Sequence, residues 1–186
     1  DLRIPEQVRL VVERQLDIGF IHSPVTHEGI RVECILIEPL IVALPENHRL
    51  AVETKIALSD LAGEPLIQFP RNINPTLYDE IVGLCCSSGF MPTIVREATP
   101  KQTIIGLVSV GLGVSLLPAC LANLQRPGVV YRPIKGRNLS IDTSLIYRHE
   151  SPSPVLKAFI DIVRATIKLD RQQYPARPPS QLARAK

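Results

Sequence analysis

Two stretches of this 186-residue chain carry side chains whose type and setting point to chemistry. In the first, Phe69-Pro70-Arg71-Asn72 runs into Asn74-Pro75-Thr76-Leu77. Asn before Pro reads as an N-cap followed by the residue best tolerated at the first helical position, so a helix starts here. The free N–H groups of its first turn, the positive end of its dipole, the Thr76 hydroxyl and the Arg71 guanidinium can converge on a carboxylate. The bland alternative is a capped helix with Arg71 in solvent. In the second stretch, His22 follows the apolar run 16–21 and so lies beyond the carboxyl end of a strand, where open α/β sheets hold ligands. Its alternative is a plain loop histidine.

Other chemistry is sparse. The chain has no G-x-S-x-G, no G-x-x-x-x-G-K-[ST] and no H-E-x-x-H. Gly111-Leu112-Gly113 begins like a dinucleotide fingerprint, but Leu116 stands where the last glycine belongs and a helix precedes it, so a helix end is expected. His22, His27, His48 and His149 have no partners at metal-ligand spacing and read as surface histidines. Cys34, Cys85, Cys86 and Cys120 lack C-x-x-C spacing and read as reduced, mostly buried thiols. The expectation is no catalytic residue, no metal and no cofactor.

The elements that position these residues follow from periodicity. PEQVRLVVERQ (5–15) reads as a helix opened by proline, and LDIGFI (16–21) as a strand buried on both faces. CILIEPLIVAL (34–44) is β-branched and apolar but broken by Pro39, which marks a crossing between subdomains. Ser59-Asp60 can cap a one-turn helix, and LIQF (66–69) is a short strand. Behind Asn74-Pro75, residues Leu77, Ile81, Leu84 and Cys85 repeat at helical spacing up to Gly89. After TIVREA, Thr99-Pro100-Lys101-Gln102 reads as a capping box for a helix burying Ile104, Ile105, Leu107 and Val108, and GVSLLP is the next strand. Alternating strands and helices imply parallel pairing with right-handed crossovers. VVYRPI, TSLIYR and a helix from Pro154 to Ile167, with Val155, Phe159, Ile162 and Val163 inward, complete the body.

Composition narrows the function. With 45% hydrophobic residues the chain can bury a core, and with no Trp and 4% aromatics it offers no stacking platform for single-stranded nucleic acid. Four of the 21 basic residues (Arg171, Arg177, Arg184, Lys186) and one of the 18 acidic residues (Asp170) lie in 170–186, which leaves the body with 17 of each and no phosphate-binding imbalance. The apolar run 34–44 contains Glu38 and Pro39, no stretch reaches membrane-spanning length, and Asp1-Leu2-Arg3 begins no secretory signal. A soluble, cytoplasmic protein without a membrane partner is expected.

Read in order, QLDIGFIHSP, EPLIVALPENHRLA, LSDLAGEPLIQFPR, LYDEIV, IIGLVSVGLGVSLLP and GVVYRPI resemble the effector-binding domain of LysR-type transcriptional regulators, in particular the branch responding to aromatic-catabolism metabolites. The resemblance runs from about Glu6 to Ile167. It implies an α/β, type 2 periplasmic-binding-protein-like fold, truncated at its N-terminus, with two α/β subdomains joined by two crossing strands and a small effector in the cleft between them. The division expected is 1–38 for the first part of subdomain I, 39–130 for subdomain II, 131–168 for the return crossing and the rest of subdomain I, and a disordered basic tail at 169–186. It further implies an anionic effector, carboxylate in class, a homo-oligomeric full-length protein, and DNA contact only through a domain not in this chain. The family's Thr-x-x-Gln turn appears as Ile4-Pro5-Glu6-Gln7, so Ile4 stands where a hydroxyl would face the effector. His22 takes the place of a basic residue, and Pro75, Thr76 and Leu77 align with the effector-contacting loop. An extracytoplasmic solute-binding protein of the same fold, and an enzyme built on it, are the competing readings.

Overall fold

The computed structural model describes residues 2–22, 25–136, 138–150 and 153–170; the tail expected to be disordered lies, from residue 171 on, outside them. The chain forms two compact units, one from the residues up to 38 together with those from 142 on, the other from 39–141. The expected division starts the return crossing at Tyr131. Here the chain changes units between Glu38 and Pro39 and again between Ile141 and Asp142.

The first unit holds α1 (Ile4–Val12), β1 (Ile18–His22), the start of β2 (Ile30–Pro45), most of β8 (Ser140–Arg148) and α4 (Pro154–Asp170). In strand order β8 lies between β1 and β2, antiparallel to β1 with Phe20 opposite Leu145. Successive residues of a strand face opposite ways. Leu145, with Ile35 and Tyr147, therefore packs under Leu156 and Ile160 of α4, while Ile146 packs with Val11 of α1, Ile21 and Ile30. The expectation that β1 is buried on both faces is corrected: it buries Gly19 and Ile21 but leaves Phe20 47% exposed. It is the end strand of its sheet, and the cluster beneath α4 reaches Ile18 but not Phe20.

Ser153 caps α4, its Oγ accepting the Leu156 N–H at 3.2 Å, with Pro154 at the first helical position. The inward face differs from the one expected. Leu156 and Ile160 are buried and Val163 and Ile167 pack against them, whereas Val155, Phe159 and Ile162 are exposed. The helix is pinned by Arg164, which donates from Nε and Nη2 to the Glu33 carboxylate at 2.7 Å each, while the Tyr147 hydroxyl donates to Glu33 at 3.0 Å. Arg164 first, then Tyr147, hold the Glu33 carboxyl below its ordinary range against the opposing pull of partial burial. A carboxyl lowered on folding stabilises the protein above its unfolded pKa, and that contribution disappears as pH falls through the folded value. Glu33→Gln is expected to cost about 1 kcal/mol at pH 7, this being a partly exposed pair, with the gap to wild type closing in acid. Denaturant melts at pH 7 and in acid test this; an unchanged gap contradicts it.

In the second unit the latter part of β2 runs between β6 (Ser115–Pro118) and β7 (Val129–Lys135), antiparallel to both, and β7 pairs in parallel with β3 (Ile56–Ala57). Flanked on both sides, Leu40–Pro45 is buried throughout. A second sheet pairs β4 (Pro65–Gln68) in parallel with β5 (Thr93–Glu97), α2 (Pro75–Ser87) and α3 (Lys101–Ser109) connecting the successive strands. The parallel alignment expected here extends to Val114, which bridges Leu66, but β6 itself pairs antiparallel with β2. Two caps are corrected. The one-turn helix Leu58–Leu61 has Ala57 at its N-cap, not Ser59, and α3 has Pro100 there with no side-chain cap, because Pro100 takes the position that Thr99 needed.

Candidate functional site

In the second unit the carboxyl ends of β4 and β5 meet at Gln68 and Glu97, tied by the Ala98 N–H donating to the Gln68 carbonyl at 3.0 Å. Residues 69–74 lead from there into α2. Asn74 caps α2 as expected, its Oδ1 accepting the Leu77 N–H at 3.1 Å, and its carbonyl accepts the Tyr78 N–H at 3.0 Å. Pro75 has no N–H to offer. The expected set of free first-turn donors is thus corrected: among the described residues Thr76 alone keeps an amide with no acceptor in this turn. Pro75 and Thr76 are exposed, and Leu77 turns into the core with Ile81 and Leu84.

Arg71 is exposed, as the bland alternative expects, but it is paired. Its Nε and Nη2 donate to the two carboxylate oxygens of Asp79 at 2.8 and 2.6 Å. This fork holds the Asp79 carboxyl below its ordinary range. Asp79 takes Nε and one edge of Nη2, so a ligand carboxylate meets a partly neutralised Arg71 whose Nη1 has no acceptor among the described residues. Phe69 and Tyr78 meet edge to face at 6.1 Å, and burial, followed by the charge of Glu97, pushes the Tyr78 hydroxyl above its ordinary value.

The first unit carries the other two candidates. His22 ends β1 opposite Thr143, its Nδ1 lying 3.4 Å from the Thr143 Oγ1. Ile4 opens α1 and lines an open surface cavity of about 420 Å³ with Pro5, Val8, Val12 and Val25. The structure therefore gathers Arg71, Pro75, Thr76 and Leu77 in one unit, and places Ile4 and His22 in the other.

Among the described residues no group of three or more His, Cys, Asp or Glu could hold a metal, and no helix is long and apolar enough to cross a membrane. His48 is no idle surface histidine: its Nδ1 accepts the Leu50 N–H at 3.2 Å and its Nε2 lies 3.2 Å from Glu64, which Arg49 also grips. The thiols are also corrected. Cys85 is buried, its pKa pushed up to about 11 by desolvation, while Cys34, Cys86 and Cys120 are exposed because they fall on outward positions of their segments.

Comparison with known proteins agrees with this architecture. Residues 4–168 match the LysR substrate binding domain family. The chain is 35% identical over 152 residues to the HTH-type transcriptional regulator AlsR of Bacillus subtilis (strain 168), covering 82% of this chain and 50% of the relative. Among solved structures, CbnR, a LysR family transcriptional regulator, is similar at a TM-score of 0.78 and 28% identity, over 89% of this chain and 57% of that one. The BenM effector binding domain with its effector benzoate is similar at 0.77 and 22%, over 99% and 82%. The last shows fold alone, a type 2 periplasmic-binding-protein-like fold. The chain spans about half the length of the curated relatives it matches. With the family matched across nearly every described residue and its relatives being transcriptional regulators, this chain belongs to the LysR substrate-binding domain family, as an effector-binding domain.

Proposed function

We propose that the chain senses a small organic anion, carboxylate in class, and passes that information to DNA-binding domains outside this chain in a cytoplasmic homo-oligomer. The observation that carries the reading is the turn at the carboxyl edge of β4, where Thr76 presents a free amide and an exposed hydroxyl at the positive end of α2. Pro75 and Leu77 shape that turn and Arg71 adds the N–H groups that Asp79 leaves open, with Ile4 and His22 as candidate ligand residues on the first unit. The description of benzoate as BenM's effector supports the carboxylate class and the aromatic branch. A solute-binding protein is disfavoured, since the relatives are transcriptional regulators.

Titrating the chain with sodium benzoate and a series of small carboxylates by calorimetry tests this. Thr76→Val is expected to weaken binding by about three- to tenfold, the loss of one solvent-exposed hydrogen bond worth about 1 kcal/mol net, and His22→Ala by a similar factor. A carboxylate that binds equally well to both variants contradicts the proposed site.

A further inference from the structure

The arginines of this domain differ in what holds them. Arg9, Arg14, Arg49, Arg71, Arg148 and Arg164 each face a carboxylate within 2.8 Å. Arg126 does not. Its Nε donates to the Ser109 hydroxyl at 3.2 Å, a neutral partner, and no acceptor takes its two terminal nitrogens among the described residues. It lies over α3 at Gly106, where the place of a missing Cβ is 3.7 Å from the guanidinium carbon, so the helix gives it a flat seat. It lines an open surface cavity of about 480 Å³ in the second unit, with Gln102, Ile105, Ser109, Leu124 and Gln125. That volume lies in the range that takes a small molecule.

We propose that this cavity is a second anion site, taking a small carboxylate with an apolar body. The guanidinium fork matches a carboxylate in plane and in charge, and no acidic side chain lines the cavity to compete. The Ser109 hydroxyl fixes the orientation of Arg126 through Nε, leaving the outer edge of the fork for the ligand. Gln102 and Gln125 offer amide donors, and Ile105 and Leu124 the apolar wall. A Cβ on Gly106 would stand in ordinary van der Waals contact with the guanidinium, at 3.7–3.9 Å, so the glycine leaves that face of Arg126 uncovered without being strictly required. The site goes beyond the effector turn at Thr76, which is built from different residues of the same unit.

The test is a benzoate titration followed by amide NMR, with benzamide as the neutral isostere. Benzoate is expected to shift the amides of 102–109 and 124–126 and benzamide to leave them in place. Arg126→Gln is expected to weaken the response at these amides by at least about tenfold, the loss of a charge-assisted fork, and Arg126→Lys to restore part of it. Ser109→Ala, which leaves the charge but frees the fork, is expected to give an intermediate loss, and Thr76→Val to leave these amides unaffected. Benzoate shifts confined to the turn at 74–78 overturn this site while upholding the effector reading. Equal response to benzamide, an unchanged response in Arg126→Gln, or no shift at 102–109 and 124–126 up to tens of millimolar benzoate each overturn it as well.

Discussion

Gly113→Ala is expected to destabilise the chain by about 3 kcal/mol or more, among the larger losses a single methyl group can cause. A Cβ at this position runs into the Pro65 carbonyl oxygen and lies 3.2 Å from the Ile67 Cγ1. The obstacle is backbone and cannot swing aside. That carbonyl accepts the Val114 N–H at 2.8 Å, Val114 in turn accepts the Ile67 N–H at 2.8 Å, and the buried Ser115 hydroxyl donates to the Ile67 carbonyl at 2.8 Å. Relieving the contact means parting the chain at 113–115 from β4 and loosening three hydrogen bonds, each worth about 1 kcal/mol net. Gly83 is the control. It lies exposed inside α2 with nothing within 4 Å of its would-be Cβ, so Gly83→Ala is expected to stabilise by about 0.5–1 kcal/mol through helix propensity. Denaturant melts of both variants settle the pair; a Gly113→Ala protein within 1 kcal/mol of wild type contradicts the close-packing argument.

What the sequence reveals depends on how local the deciding interaction is. Asn74-Pro75 marks the start of α2 because cap and first turn lie within four residues, and the bond from Leu77 N–H to Asn74 Oδ1 closes there. Ser153-Pro154 obeys the same grammar at α4. The ordered motifs from LDIGF to VVYRPI identify the family because each combines apolar period and turn chemistry along the chain. Where the deciding partner is remote, local reading fails. Helix α4 carries two apolar sets at helical spacing, one containing Val155, Phe159 and Ile162 and the other Leu156, Ile160, Val163 and Ile167, and it is the sheet residues Ile35, Leu145 and Tyr147 that decide which is buried. Arg71 is visible as a cation next to an N-cap, but its neutralisation by Asp79 needs the first two turns of α2 to bring that carboxylate back to it. Arg126 looks unremarkable in sequence, since its setting depends on Ser109, 17 residues earlier, and on Gly106 before it, both on another element.

Leu145→Ala and Ile146→Ala are expected to cost about 3–4 kcal/mol each and to loosen different helices. The adjacent residues are both fully buried, and large-to-small changes at such positions cost about 2–5 kcal/mol through lost transfer energy and the cavity left behind. Their side chains face opposite ways from β8. Leu145 lies in the cluster with Leu156 and Ile160, so its truncation opens the floor under α4 and leaves Ile35, Tyr147 and the partly exposed pair of Arg164 with Glu33 to hold the helix. Ile146 lies with Val11, Ile21 and Ile30, so its truncation loosens α1. The second site has an extra sensitivity: the place of a Cβ on Gly19 is 3.0 Å from the Ile146 Cγ1, a sign that the strands pack closely there and that space left by alanine does not fill without backbone movement. Hydrogen exchange separates the two. Amide protection in α4 is expected to fall in Leu145→Ala with α1 little changed, and the reverse in Ile146→Ala, since local openings follow the apolar contacts that close them. Equal loss of protection in both helices in either variant means that the first unit opens as one cooperative block, and that the two clusters on the faces of β8 are not energetically separate.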